Sequence, residues 1–439
     1  MSFHTGDTIE VTAADVAQGG WCVARPDGGP VVFVRHALPG ERVLARITEV
    51  TSRFARADAI QILDRSPERI EAPCPSARPG ACGGCDWQHA SLPAQRALKA
   101  AVIGQQLRRL ARIDREVTVE PLPGDDGDAP GAGFGWRTRV QFAVGPEGVA
   151  GLRAHRSHEV VDVGDCLIAH PSIRELGIPE LPWQGAESVE AITSGAERAV
   201  IVTPRASSSG RREKPEGMTT VAAEAVLSRA GRRLTPVRGR PYLRQRAAGR
   251  DWRLSAGTFW QVHPAAADTL TAAVLAVLEP EPGDTVLDLY CGAGLFAGAV
   301  APLVGPQGAV VGIESDEAAV RDARHNLRDT PWARVHRGDV AGVLRHGWPD
   351  GAGSPGEHRG LPPARLVIAD PPRAGLARSV VDDLSSGDAE RFAYVSCDPA
   401  TLARDLGLLL ARGWRLAGLR AFDAFPMTHH VECVASLAR

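Results

Sequence analysis

Residues 286–297 read VLDLYCGAGLFA, an apolar run, a turn holding Gly292 and Gly294, and the start of a second apolar run. This is the pattern of a strand that turns sharply into a helix. Glycine in such a turn lets the backbone pass close to a ligand at the helix N-terminus. Ala297 stands where the third glycine of the dinucleotide fingerprint G-x-G-x-x-G would fall, so the loop alone fits several nucleotide-like cofactors. Further along, AVVGIESD (309–316) ends a strand in Glu314, about 20 residues past the loop and suited to a ribose diol. VHRGDV (335–340) then places Asp339 at the end of a third strand, where a carboxylate could accept from an adenine amino group.

From about residue 252 the chain alternates strand and helix, with strands expected near 285–290, 309–314, 334–338, 366–370, 392–396, 416–423 and 430–437. Alternation of this length predicts a doubly wound α/β sheet of the Rossmann-like kind. Residues 346–364, rich in Gly and Pro, read as a mobile insertion. Ligands of open α/β sheets bind beyond the C-terminal strand ends. Asp370 in IADPPR (368–373) and Cys397 in AYVSCDP (393–399) end the fourth and fifth strands, so both should face that crevice. A helix starting at 399–401 would favour the Cys397 thiolate, and Asp398 would oppose it. If the last strand, HHVECVASL (429–437), runs antiparallel beside the fifth, Glu432 begins it next to Cys397. A Glu in an apolar strand is costly unless it has a task or a partner.

Upstream, residues 6–63 read as five short strands separated by Gly-Gly at 19–20, Asp-Gly-Gly at 27–29 and Pro-Gly at 39–40. Such a segment suggests a small closed barrel of the oligonucleotide-binding kind. A helix follows at about 93–113, with Leu98, Val102, Leu107 and Leu110 at helical spacing. Strand-like patterning returns at WRTRVQFAV (136–144) and VAGLRAHRSHEVVDV (149–163). Residues 186–235 are weakly patterned, and Ser207–Gly217 reads as an exposed loop.

Composition sets broad limits. At 439 residues the chain has room for two or three domains. A net charge of −2 does not announce nucleic acid, although nearly all the positive charge is Arg, with Lys only at Lys99 and Lys214. The N-terminus has no signal pattern and no apolar run approaches a bilayer span, so a cytoplasmic protein without a membrane partner is expected. Of eight cysteines, Cys74, Cys82 and Cys85 cluster, with Cys166 downstream; Cys22, Cys291, Cys397 and Cys433 are scattered. A tight cysteine cluster in a cytosolic chain points to metal or catalysis rather than disulfides, and four thiolates suit either a [4Fe–4S] cluster or zinc.

Taken together, FWQVHP (259–264), DLYCGAG (288–294), ADPPRAG (369–375), YVSCDPATLARD (394–405) and THHVECVA (428–435) resemble the RNA uracil-5-methyltransferase family. The likeness is to the 23S rRNA members with an N-terminal TRAM domain and an iron–sulfur cluster, and it runs over almost the whole chain. It implies three domains: a TRAM-like, OB-like β-barrel over 1–66, a central α+β iron–sulfur domain contacting RNA over 67–250, and an S-adenosylmethionine methyltransferase domain over 251–439. It implies Cys397 as nucleophile and Glu432 as base. Gln261, Tyr290, Gly292, Gly294, Glu314, Asp339 and Asp370 fall to the cofactor and its surroundings, and Cys74, Cys82, Cys85 and Cys166 to a [4Fe–4S] cluster. The expected partner is RNA, 23S rRNA ahead of tRNA, and the expected state is a monomer.

The chain departs from that family in four places. SCDP stands for the common SCNP, Leu295 for a polar residue, and Tyr290 for a frequent Phe. The first cysteine gap is also longer than usual. Two other readings remain at this level: methylation of an exocyclic amine, with DPPR as the acidic motif, and an RNA-binding factor whose methyltransferase fold is vestigial.

Overall fold

The computed structural model describes residues 3–125, 131–206, 214–349 and 358–439. Five strands, β1 (Thr8–Ala17), β2 (Trp21–Ala24), β3 (Val31–Arg35), β4 (Arg42–Val50) and β5 (Phe54–Asp64), close into a barrel in the order β1-β2-β3-β5-β4. Alternation turns Val32, Val34, Val43, Ala45, Ile47, Ala55 and Ala57 inward, where all are buried. The lining is mostly Val and Ala, since a barrel this small has little interior to fill.

Helix α1 (Leu92–Gln106) starts at Ser91, whose hydroxyl accepts from Ala94 N–H, with proline in the first turn. A π-type turn, Leu107–Ala111, continues it. Val102 and Leu107 are buried as expected, whereas Leu110 is 43% exposed. The wider turn changes the helical period and swings Leu110 off the apolar face.

The central sheet has seven strands: β7 (Arg139–Val144), β8 (Ala150–Arg153), β9 (Val160–Val161), β10 (Ala186–Thr193), β11 (Arg198–Pro204), β12 (Ala225–Ala230) and β13 (Arg233–Arg238). Short helices α2 (Pro171–Arg174) and α3 (Gly217–Thr220) lie in the connections. Four of these strands come from the stretch that looked weakly patterned. The reason shows in β11, where Ala199–Val202 are buried in succession, so no alternation marks the strand. Of the loop expected at 207–217, residues 207–213 lie outside the described residues. At its end Lys214 and Glu216 are exposed as expected, whereas Pro215 and Gly217 are buried, and a Cβ at Gly217 would lie 2.7 Å from the Trp183 ring.

A hairpin, β14 (Tyr242–Ala247) and β15 (Arg250–Ser255), leads into the C-terminal domain. There follow α4 (Ala266–Leu278), β16 (Thr285–Leu289), α5 (Leu295–Val304), β17 (Ala309–Glu314), α6 (Glu317–Asn326), β18 (Ala333–Arg337) and α7 (Val340–His346). A two-residue ladder, β19 (Trp348–Pro349) with β20 (His358–Arg359), flanks the insertion, whose residues 350–357 lie outside the described residues, as does its expected mobility. The chain ends with β21 (Leu366–Ala369), α8 (Arg378–Ser386), β22 (Arg391–Ser396), α9 (Pro399–Leu410), β23 (Arg415–Asp423) and β24 (Glu432–Ala438).

All seven expected strands pair in one sheet of order β18-β17-β16-β21-β22-β24-β23-β6. The order reverses between β16 and β21, which sets the ligand crevice at their C-terminal ends. The eighth strand was not anticipated. β6 (Val119–Pro121), from the N-terminal half of the chain, adds parallel to β23. Three residues are too few to show a period.

One buried ion pair fixes α1 against this sheet. Lys99 Nζ donates to Asp423 Oδ1 and, at 3.0 Å, to Phe425 O, with both charged side chains essentially inaccessible. Breaking a buried pair leaves an uncompensated charge, at a cost of about 3–5 kcal/mol, whereas replacing both partners by apolar groups is often neutral. Lys99→Met should therefore lower the melting temperature clearly, and Lys99→Met with Asp423→Leu should recover most of the loss. Calorimetric melts of the full chain decide this; equal melting of the single and double variants would contradict it.

Candidate active site

β16 delivers Asp288 and then a turn with an unusual backbone. Tyr290, Gly292 and Gly294 all take positive φ, 62°, 54° and 90°. A left-handed tyrosine is costly and marks a site that holds its backbone for a purpose. A Cβ at Gly292 would meet nothing within 4 Å, so the turn opens onto free space. Gly292 N–H donates to Glu314 Oε2 at 3.1 Å, joining the ends of β16 and β17.

Asp288 was not singled out in the sequence, yet it is the most deeply buried acid of the turn. Its Oδ2 accepts from Ala297 N–H at 2.8 Å, and its Oδ1 is buried without a partner. Burial lifts its pKa to about 8; the Ala297 bond opposes this, and Asp370 and Glu314 add to it. A buried, half-satisfied carboxyl beside an open glycine turn fits a cationic ligand. The sequence signal was its place in the same motif as the glycines.

Asp339 lies past β18 and caps α7, its Oδ2 accepting from Gly342 N–H at 3.0 Å. Its charge reaches Tyr290, whose phenol is pushed up to about 12 by burial first, then by Asp339 and Asp405. Gln261 is buried in the turn that precedes α4. Thr138 N–H and Oγ1–H both donate to Val262 O, at 2.9 Å each, and His263 Nε2 donates to Asp125 Oδ2 at 2.9 Å while Ala265 N–H donates to its Nδ1. These bonds hold the turn around Gln261 in one conformation.

Asp370 follows β21 and donates its N–H to Leu289 O at 3.3 Å. Cys397 follows β22, and Ser396 pairs with Cys433 on antiparallel β24. One step further in that register, Glu432 lies across from Cys397, as the sequence led one to expect. Burial pushes the Cys397 thiol up to about 12, helped by Glu432 and Asp370 and opposed by Arg373. Glu432 is fully enclosed and its carboxyl is held well above the usual range, by burial and then by Asp370, again against Arg373. Burial likewise raises Asp370. A helix does start at Pro399, but burial, with the carboxyls adding to it, keeps the thiol pKa raised.

Two residues missed in the sequence organise this corner. Arg373 is the cation facing both Cys397 and Glu432, and its Nη2 meets His430 Nε2 at 3.2 Å. Asp405 is inaccessible to solvent and accepts from Leu376 N–H at 2.8 Å and Tyr394 O–H at 2.7 Å. It clamps the ADPPRAG loop to α9, and with it Asp370 to the Cys397 loop. A DPPR arginine and an acid six residues into α9 are visible in the sequence, but only the fold shows what they face.

Cys74, Cys82, Cys85 and Cys166 are free thiols. Cys82 feels Cys74, and Cys85 feels Cys166 and Cys82, so they share one region. Among the described residues, however, no three His, Cys, Asp or Glu side chains are arranged to hold a metal ion. Cys82 Sγ accepts from Gly84 N–H at 3.4 Å, and Cys85 is hydrogen-bonded to Gln88. What the loop does is dock. Asp86 and Trp87 N–H donate to Met427 O at 2.9 and 3.0 Å, and Asp86 Oδ2 accepts from His429 N–H at 3.1 Å and bonds His429 Nδ1 at 2.6 Å.

Comparison with known proteins agrees with this geometry. Residues 364–439 match the family described as tRNA (Uracil-5-)-methyltransferase and residues 3–60 the TRAM domain, while 251–354 match protein-L-isoaspartate(D-aspartate) O-methyltransferase. A protein of Streptomyces avermitilis, described as an uncharacterized RNA methyltransferase, is 51% identical, covering 98% of each chain. One of Bifidobacterium longum with the same description is 32% identical, covering 98% of this chain and 96% of its own. Among solved structures, the Pyrococcus abyssi tRNA (uracil-54, C5)-methyltransferase in complex with S-adenosyl-L-homocysteine superposes with a TM-score of 0.72. It is 23% identical and covers 98% of this chain and 99% of its own.

Proposed function

The chain belongs to the RNA uracil-5-methyltransferase family, S-adenosylmethionine-dependent RNA methyltransferases with an N-terminal TRAM barrel, and we propose that it methylates carbon 5 of a uridine through a covalent adduct on Cys397. The observation that carries this reading is the convergence of Cys397, Glu432, Asp370 and Arg373 where β21, β22 and β24 meet the switch point.

Carbon 5 of uracil is too weak a nucleophile to take a methyl group unaided. Bond formation between Cys397 Sγ and carbon 6 pushes electron density to carbon 5. The cofactor, when bound, supplies the electrophilic methyl group. Glu432, whose carboxyl burial holds well above the usual range, takes the carbon 5 proton in its ionised form, and the electron pair expels the sulfur. In this reading Tyr290, Gly292, Gly294, Glu314 and Asp339 serve the nucleoside part of the cofactor, and Gln261 and Asp370 its reacting end. The target base must leave its stack to enter.

The fit of Asp288 to a cation has a consequence for pH. Without ligand its carboxyl holds a proton up to about pH 8. A cation beside it favours the ionised form, so binding releases that proton. S-adenosylmethionine affinity should rise with pH up to about 8, by at most about tenfold per unit for each proton released, and level off above. Calorimetric titrations from pH 6 to 9 measure it, and Asp288→Asn should flatten the curve. Affinity that falls as pH rises would refute the linkage.

We place the uridine in rRNA first. The matched family description keeps tRNA as a second reading. Nucleoside mass spectrometry of fractionated rRNA and tRNA, from a strain lacking the gene and its parent, tests both. Loss of 5-methyluridine from rRNA alone supports the first, and loss from tRNA alone keeps the chemistry and corrects the substrate. Unchanged 5-methyluridine in both would reject the proposal.

A further inference from the structure

The tip of the β1–β2 hairpin, residues 18–20, is wedged against the loops that surround Cys397. Gln18 Nε2 donates to Asp398 Oδ2 at 2.7 Å, across 380 residues of sequence. Two residues on, Gly20 has a φ of 80°, and a Cβ there would lie 2.8 Å from Asp86 Cβ. Asp86 is the residue that bonds His429 at the approach to Glu432. The turn is therefore held on both sides, which places the Gln18 side chain within reach of Asp398.

Asp398 uses its other oxygen, Oδ1, to accept from Thr401 N–H at 2.8 Å and cap α9. Its carboxylate is thus suspended between barrel and helix. Gln18, Asp398, Cys397, His429 and His430 line one narrow cleft of 20 Å³. Here a carboxylate stands one residue from the sulfur and works against its ionisation. An N–H donor on that carboxylate withdraws part of its charge.

We infer that Gln18 is a positioning residue contributed by the barrel to Cys397: its amide fixes Asp398 and screens its charge from the sulfur. The seating of the barrel then sets the reactivity of the nucleophile loop, apart from any contact the barrel makes with RNA. The inference rests on Cys397 as the reacting group and adds the barrel to the chemistry of that site.

The test is the rate at which iodoacetamide alkylates Cys397 in the full chain, followed by mass spectrometry of its peptide between pH 7 and 10 without RNA or cofactor. Gln18→Ala should slow alkylation about three- to tenfold and move the profile to higher pH, because a bare carboxylate now faces the thiol. Asp398→Asn should speed it. In the Asp398→Asn background, Gln18→Ala should change nothing, since no charge is left to screen. A purely structural role of the hairpin would give the same change in both backgrounds, and that result, or an unshifted profile, overturns the inference. Gln18→Asn, too short to span the contact, should reproduce Gln18→Ala and guards against misfolding of one variant. If instead Cys397→Ala kept methyltransferase activity, the functional reading would fail while the alkylation result stood by itself.

Discussion

Cys397→Ala should abolish 5-methyluridine formation, by at least about 10³-fold, and with it any protein–RNA species that survives denaturation. Binding of S-adenosylmethionine should stay within a few-fold of the parent, because the glycine turn and Asp288 belong to β16 and its neighbour β17, not to the Cys397 loop. Cys397→Ser should be nearly as inactive, since an alcohol is a far weaker nucleophile than a thiolate toward carbon 6. The measurements are methyl incorporation into RNA, denaturing gels and a cofactor titration on the same preparations. Methylation of an exocyclic amine needs neither the sulfur nor Glu432, so retained activity in Cys397→Ala would favour that reading. Loss of cofactor binding in the parent itself would favour a vestigial fold.

The same site explains why the thiol need not be reactive at rest. With its pKa pushed up to about 12, only roughly one Cys397 in 10⁴–10⁵ is thiolate near neutral pH. Burial is the first cause, Glu432 and Asp370 add to it, and Asp370 also acts on Asp288.

How far this was legible in the sequence depends on whether a residue's task is local. The C-terminal sheet could be read strand by strand, because parallel strands and intervening helices leave long apolar runs and Gly turns. The pairing of Cys397 with Glu432 followed from the polarity of one antiparallel strand. What stayed hidden involves partners distant in sequence. β6 joins β23 through three residues, the buried run of β11 shows no alternation, and Asp405 looks like any helix acid until Tyr394 and Leu376 are seen to donate to it. The cysteine spacing suggested a ligand set; the fold adds that Gly84 and Gln88 hydrogen-bond the sulfurs. Asp398 was noticed as a departure beside the nucleophile, yet its link to the barrel needed the fold.

Glu432→Gln should divide the reaction in two. The glutamine keeps the volume of a side chain that is only 4% exposed, so the strand pairing of β24 with β22 and β23 should survive. It also removes the carboxyl whose charge, after burial, does most to raise the Cys397 thiol, so sulfur addition to carbon 6 should become faster. The last step needs a base for the carbon 5 proton, and glutamine is none; turnover should fall by about 10²–10⁴-fold. Faster entry and blocked exit predict that a methylated, covalent protein–RNA complex accumulates, visible as a shifted band on a denaturing gel and by mass as one added methyl per RNA. Asp370 also lies close to both residues, but Glu432 is the acid that the strand register sets across from the sulfur, so Asp370→Asn should weaken cofactor binding without trapping RNA. A Glu432→Gln enzyme that turned over normally, or one that formed no adduct while Cys397 remained alkylatable, would place the base elsewhere in the site.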